Sequence, residues 1–127
     1  VVDFADTVTY RGMMFSGVPN LVWIMGYFRA SWTLRADLVC DLVCRMLAHM
    51  DDLGARKVTP ELRPQDLVLE RLEWMADDNF NPGYLKRSMH LMPRRLDVPE
   101  WQHTQDYWME KDVLPAIDFT DGCLIFE

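Results

Sequence analysis

The chain has 127 residues, half of them hydrophobic and 26% charged, which fits one domain with a modest core. Its net charge of −7 argues against nucleic acid or an anionic membrane surface as the main partner, since both require a basic face. Three cysteines do not form a paired disulfide framework, so a reducing, cytoplasmic setting is expected, and no run of about 18 apolar residues offers a membrane span.

Taken in order, Tyr10–Phe15 reads as a strand and Ser16-Gly17-Val18-Pro19-Asn20 as a turn. Leu21–Met25 is a continuous apolar run that suits a short buried parallel strand, ended by Gly26. A helix is predicted from Ser31 or Thr33 to about Asp52, with Gly54 as its stop. On a helical wheel Val39, Val43, Met46, Leu47 and Met50 form one broad face, which Cys40 and Cys44 extend on one side and Leu42 on the other. Asp37, Asp41, Arg45, Ala48 and His49 form a narrow polar stripe, and Asp41 and Arg45 sit in favourable i,i+4 order. A helix with so little polar circumference calls for cover over most of its surface.

Ala55–Pro64 is a polar connection with one short strand around Arg56–Leu62, and Gln65–Asp77 fits neither period cleanly. Asn81 reads as the cap of a helix over Tyr84–Met92, with Pro82 at its first position. After a Pro93–Pro99 loop a further helix is predicted over Trp101–Leu114. Ile117–Phe119 and Cys123–Phe126 flank Thr120-Asp121-Gly122, the pattern of a terminal hairpin.

Cys40 and Cys44 share a helix face, but a zinc site needs further ligands at set spacings, so they read as two core cysteines and no metal is expected. His49, His90 and His103 are scattered, and the carboxylate pairs Asp51-Asp52 and Asp77-Asp78 lie in connections as solvated groups. Serine-nucleophile, zinc-protease and phosphate-loop motifs are absent. The Tyr27–Thr33 turn stands apart. A strand, a glycine, a short turn and a helix N-terminus form the arrangement that α/β proteins use for ligands, with free N–H groups and a positive helix end facing the crevice. Arg29 and Arg35 add positive charge there. The same pattern also serves as an ordinary strand–helix crossover.

The stretch GVPNLVWIMGYFRASWTLRADLVCDLVCRML, together with PGYLKRS, MPRRLDVPEW and the Gln105–Tyr107 pair, resembles the C-terminal part of class B flavoprotein monooxygenases. These are the flavin-containing and Baeyer–Villiger enzymes, and the pattern is similar to the branch that holds the ethionamide-activating monooxygenase. The resemblance implies an α+β fragment. Residues 1–54 would be the last strand and helix of an FAD-binding Rossmann-type domain, and residues 55–127 a helical C-terminal tail with a terminal hairpin. It implies FAD beside Ala30, Ser31, Trp32, Thr33 and Leu34 in the parent enzyme, with NADPH as the second cofactor.

The chain departs from the family in what it lacks. Its glycines (Gly12, Gly17, Gly26, Gly54, Gly83 and Gly122) give no G-x-G-x-x-G turn for FAD or NADPH. The fingerprint between the dinucleotide domains is missing, and the family's active-site arginine does not map onto Arg11, Arg29 or Arg35. The expectation is a C-terminal portion of an oxygenase acting on a ketone or a heteroatom. Its partners would be the missing N-terminal FAD and NADPH domains, and alone it would be inactive, without bound cofactor, and self-associating through uncovered apolar surface. The alternative is a freestanding, non-catalytic interaction module that shares ancestry with the tail. The start at Val1, without Met, fits a piece of a longer protein, processing, or unseen preceding residues alike.

Overall fold

The computed structural model describes residues 1–76 and 82–127, and in it the chain is an α+β fold of three helices and two small antiparallel sheets. The N-terminal hairpin pairs β1 (Thr9–Tyr10) with β2 (Met14–Phe15), Thr9 opposite Phe15 and Tyr10 opposite Met14. The predicted single strand Tyr10–Phe15 is therefore folded back on itself. Arg11 and Gly12 both take positive φ, 50° and 67°, and Met13 N–H donates to the Tyr10 carbonyl. That is the mirror-image turn whose twist matches paired strands.

The long helix α1 spans Trp32–Leu53 with Ser31 as N-cap and Gly54 at φ 66° closing its end, as the sequence signals predict. Its inner face is the stripe Arg35, Val39, Leu42, Met46 and Met50, spaced by three and four residues. The broad apolar face is thus narrower than the wheel suggests. Leu47 is exposed, and so are Cys40 and Cys44, contrary to their reading as core cysteines. Arg45 does not pair with Asp41; its guanidinium donates to the Leu114 and Ile117 carbonyls at 2.8 Å each and lies over the Phe119 ring. A carbonyl pair at the end of a neighbouring helix holds this planar fork better than a solvated carboxylate one turn away.

β3 (Val58–Pro60) pairs with β4 (Leu124–Phe126), Val58 opposite Phe126 and Pro60 opposite Leu124. The predicted terminal hairpin is corrected accordingly. The turn at Gly122 exists (φ 78°), but Phe119 is in the left-handed region at φ 65° and Asp118 accepts from Thr120, so Ile117–Phe119 cannot extend as a partner strand. α2 (Gly83–Ser88) continues as a tight turn over Met89–Leu91, ahead of Pro93. The Asn81 cap and Asp77-Asp78 lie outside the described residues.

The predicted Trp101–Leu114 helix is only α3 (Tyr107–Val113), capped by Asp106. Trp101 ends a separate short turn, and Gln102 is extended at φ −150° and ψ 167°. Leu21–Met25 forms no strand here. Leu21 and Ile24 are exposed, and Trp23 N–H reaches the Met13 carbonyl rather than a ladder. A strand needs a ladder of hydrogen bonds to a neighbour, and this segment belongs to neither of the two sheets.

One core joins the hairpin (Val8, Tyr10, Met13, Met14), the α1 stripe, and Leu96, Trp101, Leu114, Cys123 and Leu124. A smaller cluster of Trp74, Met75 and Met89 lies against Trp23, Met25 and Phe28. No helix among the described residues is long and apolar enough to cross a membrane. The cysteine placement makes a direct prediction. Two thiols, Cys40 and Cys44, should react with DTNB in the native chain. Cys123, fully buried and pushed up to about 12 by that burial and by Asp121, should react only after denaturant is added. Three fast thiols, or none, would contradict this arrangement.

Candidate functional site

The Gly26–Leu34 turn leads into the N-terminus of α1. Gly26 has no room for a side chain. A Cβ there would lie 2.3 Å from the Trp32 ring and 2.7 Å from the Trp32 carbonyl oxygen, so glycine lets the helix start fold back over the turn. Phe28 meets the Trp32 ring edge-on at 6.4 Å between centroids. Of the five residues predicted to approach the cofactor, Ala30, Ser31, Trp32 and Thr33 are exposed and Leu34 is half-buried. They are contiguous at one helix end.

The first turn of α1 is open to an electron-rich group. It carries no acidic residue, and Ser31 makes no capping bond, because its hydroxyl lies 3.0 Å from that of Thr33 instead. The N–H groups at a helix start lack intrahelical acceptors, and the helix dipole adds positive potential. Beside them opens a groove of about 550 Å³ between Arg29, Ala30 and Leu34 on one side and Thr104, Gln105, Asp106 and Trp108 on the other.

Arg35 does not face that groove, contrary to expectation. It is 1% exposed and ion-pairs with Glu110 through Nε at 3.0 Å. Its Nη1 donates to the Met25 carbonyl at 3.0 Å and its Nη2 to the Arg11 carbonyl at 2.6 Å. A buried guanidinium must find acceptors for its donors, and those of Arg35 are in the tail, the hairpin and the turn rather than at a ligand. Arg29 is exposed at the groove.

The turn is fastened by side chains of Gln105, Tyr107 and Glu110. Glu110, itself 4% exposed, also accepts from the Tyr27 hydroxyl at 2.8 Å. Burial, and then the neighbouring Glu110 charge, raise the Tyr27 pKa, so the phenol stays protonated and remains the donor. The Gln105 side-chain carbonyl accepts from Phe28 N–H at 2.7 Å, and Tyr107 packs edge-on against Tyr27. Gln105 and Tyr107 were visible in the sequence as a matched pair; Glu110 carried no signal.

His103 stacks on Trp74 at 4.3 Å with 13° between the rings. Its Nδ1 and the Gln105 Nε2 are buried without a hydrogen-bond partner. No group of three or more His, Cys, Asp or Glu is placed to hold a metal among the described residues.

The chain is 44% identical over 109 residues to the FAD-containing monooxygenase EthA of Mycolicibacterium smegmatis, covering 86% of this chain and 21% of that protein. The Mycobacterium tuberculosis EthA is 45% identical over 106 residues, 84% of this chain and 21% of its own length. The "Probable FAD-binding monooxygenase AlmA" of Acinetobacter baylyi is 34% identical over 126 residues, 99% of this chain and 24% of its own. The chain thus spans about a fifth to a quarter of the curated relatives it matches. No family model and no solved structure matches.

Proposed function

This chain is homologous to the FAD-containing monooxygenases, and we propose that it is the C-terminal portion of such an enzyme, dependent on FAD and NADPH and inserting oxygen into a ketone or onto a heteroatom. The observation that carries the reading is the sequence identity across most of this chain, set beside a helix start whose own first turn holds no acid and whose Ser31 makes no capping bond. Residues 1–54 are then the end of the flavin domain and residues 55–127 a tail against it, in a cytoplasmic protein.

When bound, the flavin supplies the redox and oxygen chemistry. The residues here would orient it. The backbone N–H groups around Trp32 and Thr33, with the α1 dipole behind them, favour negative charge at the ring edge they meet. Ala30, Ser31 and Leu34 would complete its surroundings on this side. The pyrophosphate turns for both dinucleotides belong to the parent's N-terminal domains. So does cover for Leu21, Ile24 and Leu47, whose exposure favours self-association of the chain alone.

The chain mixed with FAD and desalted should emerge colourless, and light scattering of the same sample should give a dimer or larger. Flavin retained at about one per chain would overturn the division of the site between this chain and absent domains. The reading frame upstream of Val1 should encode two G-x-G-x-x-G turns. A start codon immediately before Val1 would favour the freestanding interaction module instead.

A further inference from the structure

The Gly26–Leu34 turn is held at three points, one at its base and two within it. Before the turn, the Met25 carbonyl accepts from Arg35, which lies on α1 just after the turn. One side chain therefore closes the loop across its own base. Within the turn, the Tyr27 hydroxyl donates to Glu110 and the Phe28 N–H to Gln105. Arg35 also donates to the Arg11 carbonyl in the hairpin, and Glu110 holds Arg35 through Nε. The Tyr27 and Arg35 bonds converge on Glu110, one carboxylate in α3.

We infer that Glu110 is a positioning residue for this turn, acting through Arg35 and Tyr27, and that with Gln105 it sets the direction of the N–H groups offered to the flavin. This rests on the reading of the chain as part of a flavoenzyme. A buried ion pair is a costly way to hold two elements together, since apolar side chains of similar volume often serve stability as well or better. The pair adds direction. The planar guanidinium fork fixes two backbone carbonyls in place, and the carboxylate receives the phenol at a set angle. A flavin site needs its donors aimed, and a site built on a turn depends on the groups that lock the turn.

The test uses Glu110→Gln, which keeps the shape and an acceptor oxygen but removes the charge. Hydrogen exchange on the 127-residue chain should show a larger rise over residues 26–34 than over the Val39–Met50 stretch of α1. Unchanged protection over 26–34 overturns the inference, whatever the chain binds. In the whole flavin-bearing protein, E110Q should weaken FAD binding by about tenfold and shift the flavin absorption band. Glu110→Asp, which restores the charge on a shorter arm, should recover part of both. Wild-type FAD affinity and an unshifted band in E110Q also overturn it. If the wild-type whole protein takes up no FAD while exchange over 26–34 responds to E110Q, the clamp stands and the flavoenzyme reading falls.

Discussion

Replacing Glu110 with alanine is expected to lower the midpoint of thermal unfolding by about 10–20 °C. The Arg35–Glu110 pair is 1% and 5% exposed, and removing one partner of such a pair leaves a buried charge uncompensated, a loss of about 3–5 kcal/mol. A chain of this size has an unfolding entropy of roughly 0.27 kcal/mol per kelvin, which converts that loss into the stated shift. The Tyr27 hydroxyl loses its acceptor in the same step, so the damage extends from the tail to the turn. The cost belongs to the orphaned charge rather than to lost packing. The double substitution Arg35→Met with Glu110→Leu should therefore recover most of the stability, though not the fixed turn. Thermal melts followed by circular dichroism would decide it. A midpoint within about 3 °C of wild type for E110A would show that water reaches Arg35 and that the pair is not the lock described.

Helix α1 was legible because its signals are local: Ser31 before it, Gly54 after it, and apolar positions at helical spacing between them. What the wheel left undecided is which part of a wide apolar face turns inward. Arg35 lies in the interior, paired with Glu110, and Cys40, Cys44 and Leu47 face outward. The turn at Gly122 is legible for the same local reason, but local signals pair its strand with the nearest neighbour in sequence. β4 pairs with β3 instead, and pairing between distant strands leaves little trace in one sequence. Trp101 misled the helix prediction. Its indole N–H donates to buried Asp66 at 2.8 Å, an anchor that keeps it in a separate turn ahead of α3. The candidate site divides in the same way. Residues 26–34 announced themselves through glycine, serine and threonine, whereas the groups that fasten them come from the far end of the chain.

The resemblance to flavoenzymes also gives physical meaning to the segment that failed as a strand. Leu21–Met25 has the composition of a buried strand, yet Leu21 and Ile24 are exposed and no ladder forms. The side of α1 that carries Cys40, Cys44 and Leu47 is exposed as well. Both features meet at the Gly26–Leu34 turn, where the proposal places the flavin.

Stability should fall as the pH drops below about 6.5, and His103 should be the reason. Burial, then the charges of Arg35 and Arg95, lower its pKa to about 3 in the folded chain. The unfolded chain binds the proton near pH 6.5 and the folded chain does not, so protonation favours unfolding across that interval. The contribution is complete above about pH 6.5 and is lost progressively toward pH 3. Its limiting slope is about 1.4 kcal/mol per pH unit, or about 2 kcal/mol between pH 6.5 and 5. The ring is not wholly enclosed, so the measured slope should fall short of that limit. Asp66 acts in the same direction but later. Hydrogen bonds from Arg63, with help from Trp101, hold its carboxyl below the usual range, so its share is lost only below about pH 4. His103→Phe separates the two. Phenylalanine keeps the stack on Trp74 and cannot take up a proton, so urea titrations of this variant should give nearly equal stability at pH 7 and pH 5. If wild type and variant instead lose stability in parallel over that range, the acid sensitivity lies elsewhere and His103 is already solvated in the folded chain.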